Sequence, residues 1–200
     1  MKLIYSGTSP FVRKVSVMLL ETGLDGRIEK ETVAISPMKP GNVVPAANPL
    51  GKVPCLITDD GASIFDSRVI TRYLDAQHSG TKLYPEDKTL WEILTLEAMA
   101  DGMMDAAVLM SYERLLRTDA QKSAEWVEAQ WLKISRALAH LEAHVAALEP
   151  LSMASIAVGA TLGYLDLRHD DRGWRIIAPK LATWEAAFSK RPSMQATIPG

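Results

Sequence analysis

Lys2-Leu3-Ile4-Tyr5-Ser6-Gly7-Thr8-Ser9-Pro10-Phe11-Val12-Arg13-Lys14-Val15 opens the chain with a switch of hydrophobic period. Residues 2–6 read as a short strand. Ser9 then stands directly before Pro10, an N-cap type followed by a proline at the first helical position, where the missing N–H has no helical partner to lose. Val12, Val15, Met18 and Leu19 recur at helical spacing and give a helix with one core-facing side. Gly23 suits a left-handed terminator.

Working outward, residues 28–33 predict a second strand and residues 37–49 a loop carrying Pro and Gly. Residues 53–58 predict a third strand, Asp59-Asp60-Gly61 a tight turn and residues 62–65 a fourth strand, so the last two form a hairpin. Asp66 caps a helix from Ser67 that turns Val69, Ile70, Tyr73 and Leu74 mainly inward. Strand, helix and strand followed by hairpin and helix predict a small mixed sheet covered by helices, an α/β unit. The character changes near residue 80. Residues 1–79 form the first domain, residues 80–87 a linker, and residues 88–200 an all-helical domain. Helical patterns run over 88–116, 121–148, 153–167 and 179–189, and the first two are long enough to be the spine of a bundle.

The chain has 200 residues, of which 48% are hydrophobic and 23% charged, the make-up of a packed globule. Lys and Arg total 22 against 24 Asp and Glu, a net charge of -2, so no nucleic acid or anionic membrane is expected as a partner. Cys55 is the only cysteine, which removes intramolecular disulfides, a CxxC redox pair and cysteine-rich zinc sites. His78, His140, His144 and His169 are scattered, and Glu142 between His140 and His144 does not give the HExxH order, so no metal is expected. The first ten residues are too short and interrupted for a signal peptide, and no run of about eighteen apolar residues predicts a membrane span. A cytoplasmic location is the expectation.

The run from Ser6 to Val15 resembles the start of bacterial glutathione S-transferases. Asn48-Pro49-Leu50-Gly51-Lys52-Val53-Pro54 resembles the loop that ends in that family's cis-proline, and Asp66-Ser67-Arg68-Val69-Ile70 its acidic residue-serine signature. Residues 152–166 resemble the segment of the second domain that carries a capping box and hydrophobic staple. Together these cover nearly the whole chain in the right order. The resemblance implies a thioredoxin-like N-terminal domain and an all-α C-terminal domain, the glutathione S-transferase fold. It also implies a homodimer that uses glutathione as cosubstrate and a small hydrophobic electrophile as acceptor.

Each motif has a chemical reading under that resemblance. Ser9, at a helix start, can donate its hydroxyl proton to the glutathione sulfur and favour thiolate, with Thr8 as its neighbour of the same chemistry. The Val53–Pro54 bond, implied to be cis, offers Val53 backbone groups to the cysteinyl part of the tripeptide. Asp66 can pair with the γ-glutamyl ammonium while Ser67 and the helix-start amides hold its carboxylate. Lys39 and Lys52 are candidates for the glycyl carboxylate. Arg13 is read either as a partner of an acidic group or as a residue orienting the active-site region, and equally as a solvated helix charge. Cys55 reads as a buried core thiol, which makes a mixed-disulfide mechanism unattractive. Phe11 with Met104, Val108, Ser111 and Tyr112, the last four at helical spacing, are the candidate acceptor pocket. The expected activity is conjugation of glutathione to small hydrophobic electrophiles. Two alternatives stand beside it: glutathione-dependent peroxide or disulfide reduction, and noncatalytic binding of glutathione or a hydrophobic ligand.

One position departs from the family pattern. Ser152 is the expected N-cap of a helix, with Leu151 and Ile156 placed for a staple, but the N3 position is Ser155 where the family is acidic. A neutral serine lacks the charge term, so a weaker capping box is expected there.

Overall fold

A computed structural model describes residues 1–34 and 36–199; Gly200, the last residue of the expected helical domain, lies outside them. It divides into two compact units. The first comprises Met1–Pro85 together with the segment that starts at Pro192, and the second is Glu86–Arg191. The sequence reading kept everything from 88 onward in one domain. The closing segment instead packs with the first unit, held there by hydrogen bonds from Arg13 and Ser193.

In the first unit, β1 (Lys2–Tyr5), α1 (Pro10–Glu21), β2 (Glu29–Thr32), α2 (Val43–Ala47), β3 (Cys55–Ile57), β4 (Ser63–Ile64) and α3 (Ser67–Asp75) follow in order. Among the described residues the sheet has four strands in the order β2-β1-β3-β4; β1 and β2 are parallel, and the other pairs antiparallel. The register alternates two faces. Ile4 stands opposite Cys55, and this face packs with Val44 and Ala47 of α2. Leu3 stands opposite Leu56, both fully buried on the other face. The short helix α2 lies where the sequence predicted only loop. A five-residue helix has little intrinsic stability, and it is the burial of Val44 and Ala47 on the sheet that holds it.

The link out of this unit is pinned by one carboxylate. Asp75, 5% exposed, accepts from the Leu83 N–H at 2.9 Å, the Tyr84 N–H at 3.3 Å and the His78 ring at 3.1 Å. The hydroxyls of Tyr84 and Thr71 are joined at 2.7 Å.

The second unit contains α4 (Leu90–Leu116), α5 (Ala124–Ala143), α6 (Met153–His169), α7 (Trp174–Ile177) and α8 (Pro179–Phe188); α9 (Pro192–Gln195) belongs to the first. Small residues, Ala100, Ala106 and Ala107 on α4 and Ala157, Gly159 and Ala160 on α6, are all buried. The Thr161 hydroxyl contacts the Ala157 carbonyl at 2.8 Å and the Ala100 carbonyl at 3.3 Å, linking α6 to α4. The box at the start of α6 forms with serine at N3. The Ser152 N–H donates to Ser155 Oγ at 2.9 Å and the Ser155 N–H to Ser152 Oγ at 3.4 Å. Ser155 is fully buried, and its hydroxyl also donates to the Ser152 carbonyl at 2.9 Å, so a neutral group satisfies the position without a charge.

Candidate functional site

The sheet register gathers the sequence motifs at one end. Antiparallel pairing of Ile4 with Cys55 puts the exit of β1 beside the entrance of β3. Pairing of Leu56 with Ile64 puts the exit of β4 beside the same entrance. The loop to Ser9, the Val53–Pro54 step and the Asp66 cap therefore lie at one edge. β2 runs parallel to β1, with Tyr5 opposite Thr32, and delivers the loop carrying Lys39 to that edge as well.

Ser9 is the N-cap of α1, with extended backbone, and its Oγ accepts from the Val12 N–H at 3.4 Å. That bond uses a lone pair and leaves the hydroxyl proton available to a ligand. The Arg13 N–H donates to the Ser9 carbonyl at 3.0 Å and closes the first turn. Ser9 is half-buried, Thr8 exposed and Phe11 half-buried. An anion here would meet the positive end of a twelve-residue helix whose first turn holds no acidic residue.

The Val53–Pro54 peptide is cis, as the resemblance implies; the Phe65–Asp66 bond is cis too. The loop leading to Pro54 is held by Asn48, 2% exposed, a residue quoted in the sequence motif but given no role there. Its Oδ1 accepts from the Leu50 N–H at 3.0 Å, and its Nδ2 donates to the Lys52 carbonyl at 2.8 Å. The Asn-Pro step carried the signal, an Asx-type turn that folds side chain onto backbone. Gly51 turns with φ +64°, and a Cβ there would stand 3.1 Å from the Pro40 Cβ, so both conformation and space ask for glycine. Lys52 and Lys39 are exposed. Lys39 sits in a tight bridge in which its N–H donates to the Ser36 carbonyl at 3.0 Å.

Asp66 caps α3. Its Oδ1 accepts from the Arg68 N–H and its Oδ2 from the Arg68 guanidinium, both at 3.0 Å. Partial burial pushes this carboxyl up, but the Arg68 hydrogen bonds and charge, with the charge of Lys14, outweigh it and hold the group below the usual carboxylate range. Lys14 is fully buried, and the sequence reading gave it no role. Ser67 begins the helix at 2% exposure. Cys55 is fully buried, its Sγ lies 3.6 Å from the Ala47 carbonyl, and burial pushes the thiol up. A thiol kept protonated in the core is a poor nucleophile.

The helical unit divides the remaining candidates. Met104 is fully buried and Ser111 is 2% exposed, which corrects their placement on a lining face: neither offers surface to an acceptor. The Ser111 hydroxyl is spent inside. It lies 3.1 Å from the Ala107 carbonyl and accepts from the Tyr164 hydroxyl at 3.2 Å. His169 donates to the same carbonyl at 2.9 Å, and burial pushes its imidazole down, toward the neutral form. Val108 is half-buried and Tyr112 is 38% exposed, so these two keep surface. Burial also pushes the Tyr112 phenol up, which keeps it a hydrogen-bond donor. A cavity of about 320 Å³ in this unit, lined by Met110, Arg114, Val127 and His169 among others, contains none of the glutathione or acceptor candidates read from the sequence. Among the described residues no three His, Cys, Asp or Glu side chains group to hold a metal ion, and no helix is long and apolar enough to cross a membrane.

Comparison with known proteins gives two family matches: glutathione S-transferase, N-terminal domain, over residues 8–77, and glutathione S-transferase, C-terminal domain, over residues 124–187. The uncharacterised GST-like protein YibF of Escherichia coli K12 is 36% identical over 204 residues, covering 100% of this chain and 98% of the relative. A glutathione transferase family member from Pseudomonas fluorescens Pf-5, solved with bound glutathione, is 46% identical and superimposes with a TM-score of 0.97 over 100% of this chain and 98% of that one. A structure of a Pf-5 family member with bound S-(propanoic acid)-glutathione matches with 45% identity and a TM-score of 0.92, covering 100% of both chains.

Proposed function

We propose, from the premise that this chain belongs to the glutathione S-transferase family, that it conjugates glutathione to small hydrophobic electrophiles. The observation that carries this reading is the convergence, at one end of the sheet, of the Ser9 cap, the cis Val53–Pro54 step and the Asp66–Ser67 cap. Glutathione presents three recognisable parts, and each has a counterpart there. The ammonium of the γ-glutamyl end meets Asp66, sharing or displacing the Arg68 pair, while its carboxylate meets Ser67 and the α3 amides. The cysteinyl backbone pairs with Val53. Lys39 and Lys52 supply cations for the glycyl carboxylate, and Thr8 adds a hydroxyl beside Ser9.

The Ser9 hydroxyl donates to the sulfur and, with the α1 dipole, stabilises the thiolate, so the thiol proton leaves to solvent at lower pH. The sulfur lone pair then forms a bond to the electrophilic carbon. In a substitution the leaving group departs with the pair of the breaking bond; in an addition the displaced π pair takes a proton from water. Holding the sulfur in place converts much of the entropic barrier into binding. Of the acceptor candidates read from the sequence, Phe11 keeps surface within the first unit, and Val108 and Tyr112 within the second. The Pf-5 family member binds S-(propanoic acid)-glutathione, a thioether in which the glutathione sulfur is joined to carbon. The buried, protonated Cys55 weighs against a reductase that works through a cysteine mixed disulfide.

We also assign a homodimer in the cytoplasm, both from the family resemblance; Val69 on α3, expected to turn inward, is instead 52% accessible. Light scattering on the purified chain checks the mass. The function is tested by following the ultraviolet absorbance of bound thiolate against pH and turnover with an activated aryl chloride. A bound thiol with a pKa lower than free glutathione, together with turnover, is the expected result. Tight glutathione binding without turnover across an electrophile panel would replace conjugation with binding alone.

A further inference from the structure

The end of the chain is tied to α1 at two points. The guanidinium of Arg13, a residue only 8% exposed, donates through Nη2 to the Met194 carbonyl at 3.2 Å. The Ser193 hydroxyl donates to Glu21 at the last turn of α1. These anchor points lie about 12 Å apart along the helix at about 1.5 Å per residue. Met194 is 1% and Ser193 5% exposed, and the Thr197 hydroxyl folds back onto the Ser193 carbonyl at 2.9 Å. The segment thus grips α1 near both ends, which restrains sliding and rotation about the axis. Arg13 also supplies the backbone N–H that donates to the Ser9 carbonyl at 3.0 Å. One residue therefore joins the tail to the N-cap, through its side chain on one side and its amide on the other.

We infer that the segment from Pro192 is a positioning element for the Ser9 hydroxyl, with Arg13 as the positioning residue that couples them. This rests on the reading of Ser9 as thiolate donor. A hydrogen bond to sulfur depends on donor placement, and misplacement by about 1 Å can cost about 100-fold in rate. The tail keeps α1, and hence Ser9, in register with the rest of the site without touching glutathione itself.

The test uses Arg13→Gln, Arg13→Lys, Ser193→Ala and a chain ending at Arg191, each measured for folded content by circular dichroism. Arg13→Gln and the shortened chain are expected to raise the pKa of bound glutathione thiol and lower kcat about tenfold, with glutathione KM within about twofold. Arg13→Lys, which keeps one donor, restores most of the loss. In a Ser9→Ala background Arg13→Gln adds little, because both act through one hydroxyl. A folded Arg13→Gln protein with the parent's thiol pKa and kcat overturns the inference, as does an undiminished effect in the Ser9→Ala background. Should the shortened chain not fold, Arg13→Gln and Ser193→Ala, which leave the tail in place, decide the matter by the same readouts. Ser9→Ala with an unchanged thiol pKa, alongside an Arg13→Gln protein with a raised one, removes the Ser9 reading itself and with it the tail's proposed target.

Discussion

Helices α1, α3 and α6 each begin at a side chain that accepts a backbone N–H in the first turn, but the three caps are left in different states. At α6 the cap is closed: Ser152 and Ser155 exchange bonds in both directions, and both are buried. At α1 the Ser9 hydroxyl makes one long contact and keeps its proton. At α3 the Asp66 carboxylate caps the helix, yet its side chain remains 55% exposed. A cap whose bonding capacity is exhausted in the interior can only stabilise. A cap with a spare proton or exposed charge can stabilise and also receive a ligand. In sequence the first and third are both a serine before an amphipathic run, and exposure is what separates them.

The comparison breaks most sharply at Ser9. Ser9→Ala removes the proposed donor to sulfur and is expected to lower kcat about 100-fold and raise the pKa of bound glutathione thiol, at a stability cost of about 1 kcal/mol from the lost cap. Stopped-flow and absorbance titration measure the first effects, denaturant unfolding the last. A loss confined to stability would make this cap the same kind as that of α6. Asp66→Ala is expected to weaken glutathione binding by about tenfold in calorimetry while the chain stays folded, as charge-assisted hydrogen bonds of this type contribute about 1.5–3 kcal/mol before exposure is discounted. Unchanged affinity would reassign Asp66 to capping alone.

At the closed cap the expectation inverts. Ser155→Ala leaves the buried Ser152 N–H without its acceptor and should lower stability by about 1–2 kcal/mol, with glutathione binding and kcat unaltered. A stability equal to the parent's would mean that another group takes over at that helix start. The smallest effect separates the two caps by pH. Asp66 has its carboxyl lowered in the folded chain, so its stabilising contribution is complete above about pH 4, the ordinary aspartate value, and is lost as pH falls through its lowered folded value. The difference in unfolding midpoint between parent and Asp66→Asn should therefore shrink below about pH 4, whereas that for Ser155→Ala should not.

Much of this site was legible because its determinants are local. Ser9-Pro10 and Asp66-Ser67 announce helix starts from side-chain chemistry within one turn, and the Val53–Pro54 step stood out from its motif. Lys14 and Asn48 were harder. A lysine in a helix reads as solvated until the fold buries it, and Asn48 acts on a loop whose path no periodicity describes. The helical unit shows the limit most clearly. Spacing put Met104, Val108, Ser111 and Tyr112 on one face of α4, but only the packing of that long helix decides which of them keep surface. Met104 and Ser111 went to the interior, where Tyr164 and His169 consume the polar groups.

By itself the sequence determined the order of the strands and longer helices, the caps at Ser9, Asp66 and Ser152, and the change from mixed sheet to helices near residue 80, because each is set by side chains a few positions apart. The tertiary structure alone decided the partners that lie far along the chain. Strand pairing brought residues near 9, 53 and 66 to one edge of the sheet. The sheet's apolar face made a helix of 43–47, and hydrogen bonds from Arg13 and Ser193 returned the chain's end to α1. Those contacts are won by burial and by matching donors to acceptors across long loops, terms that depend on where the chain has gone and leave no period in its sequence.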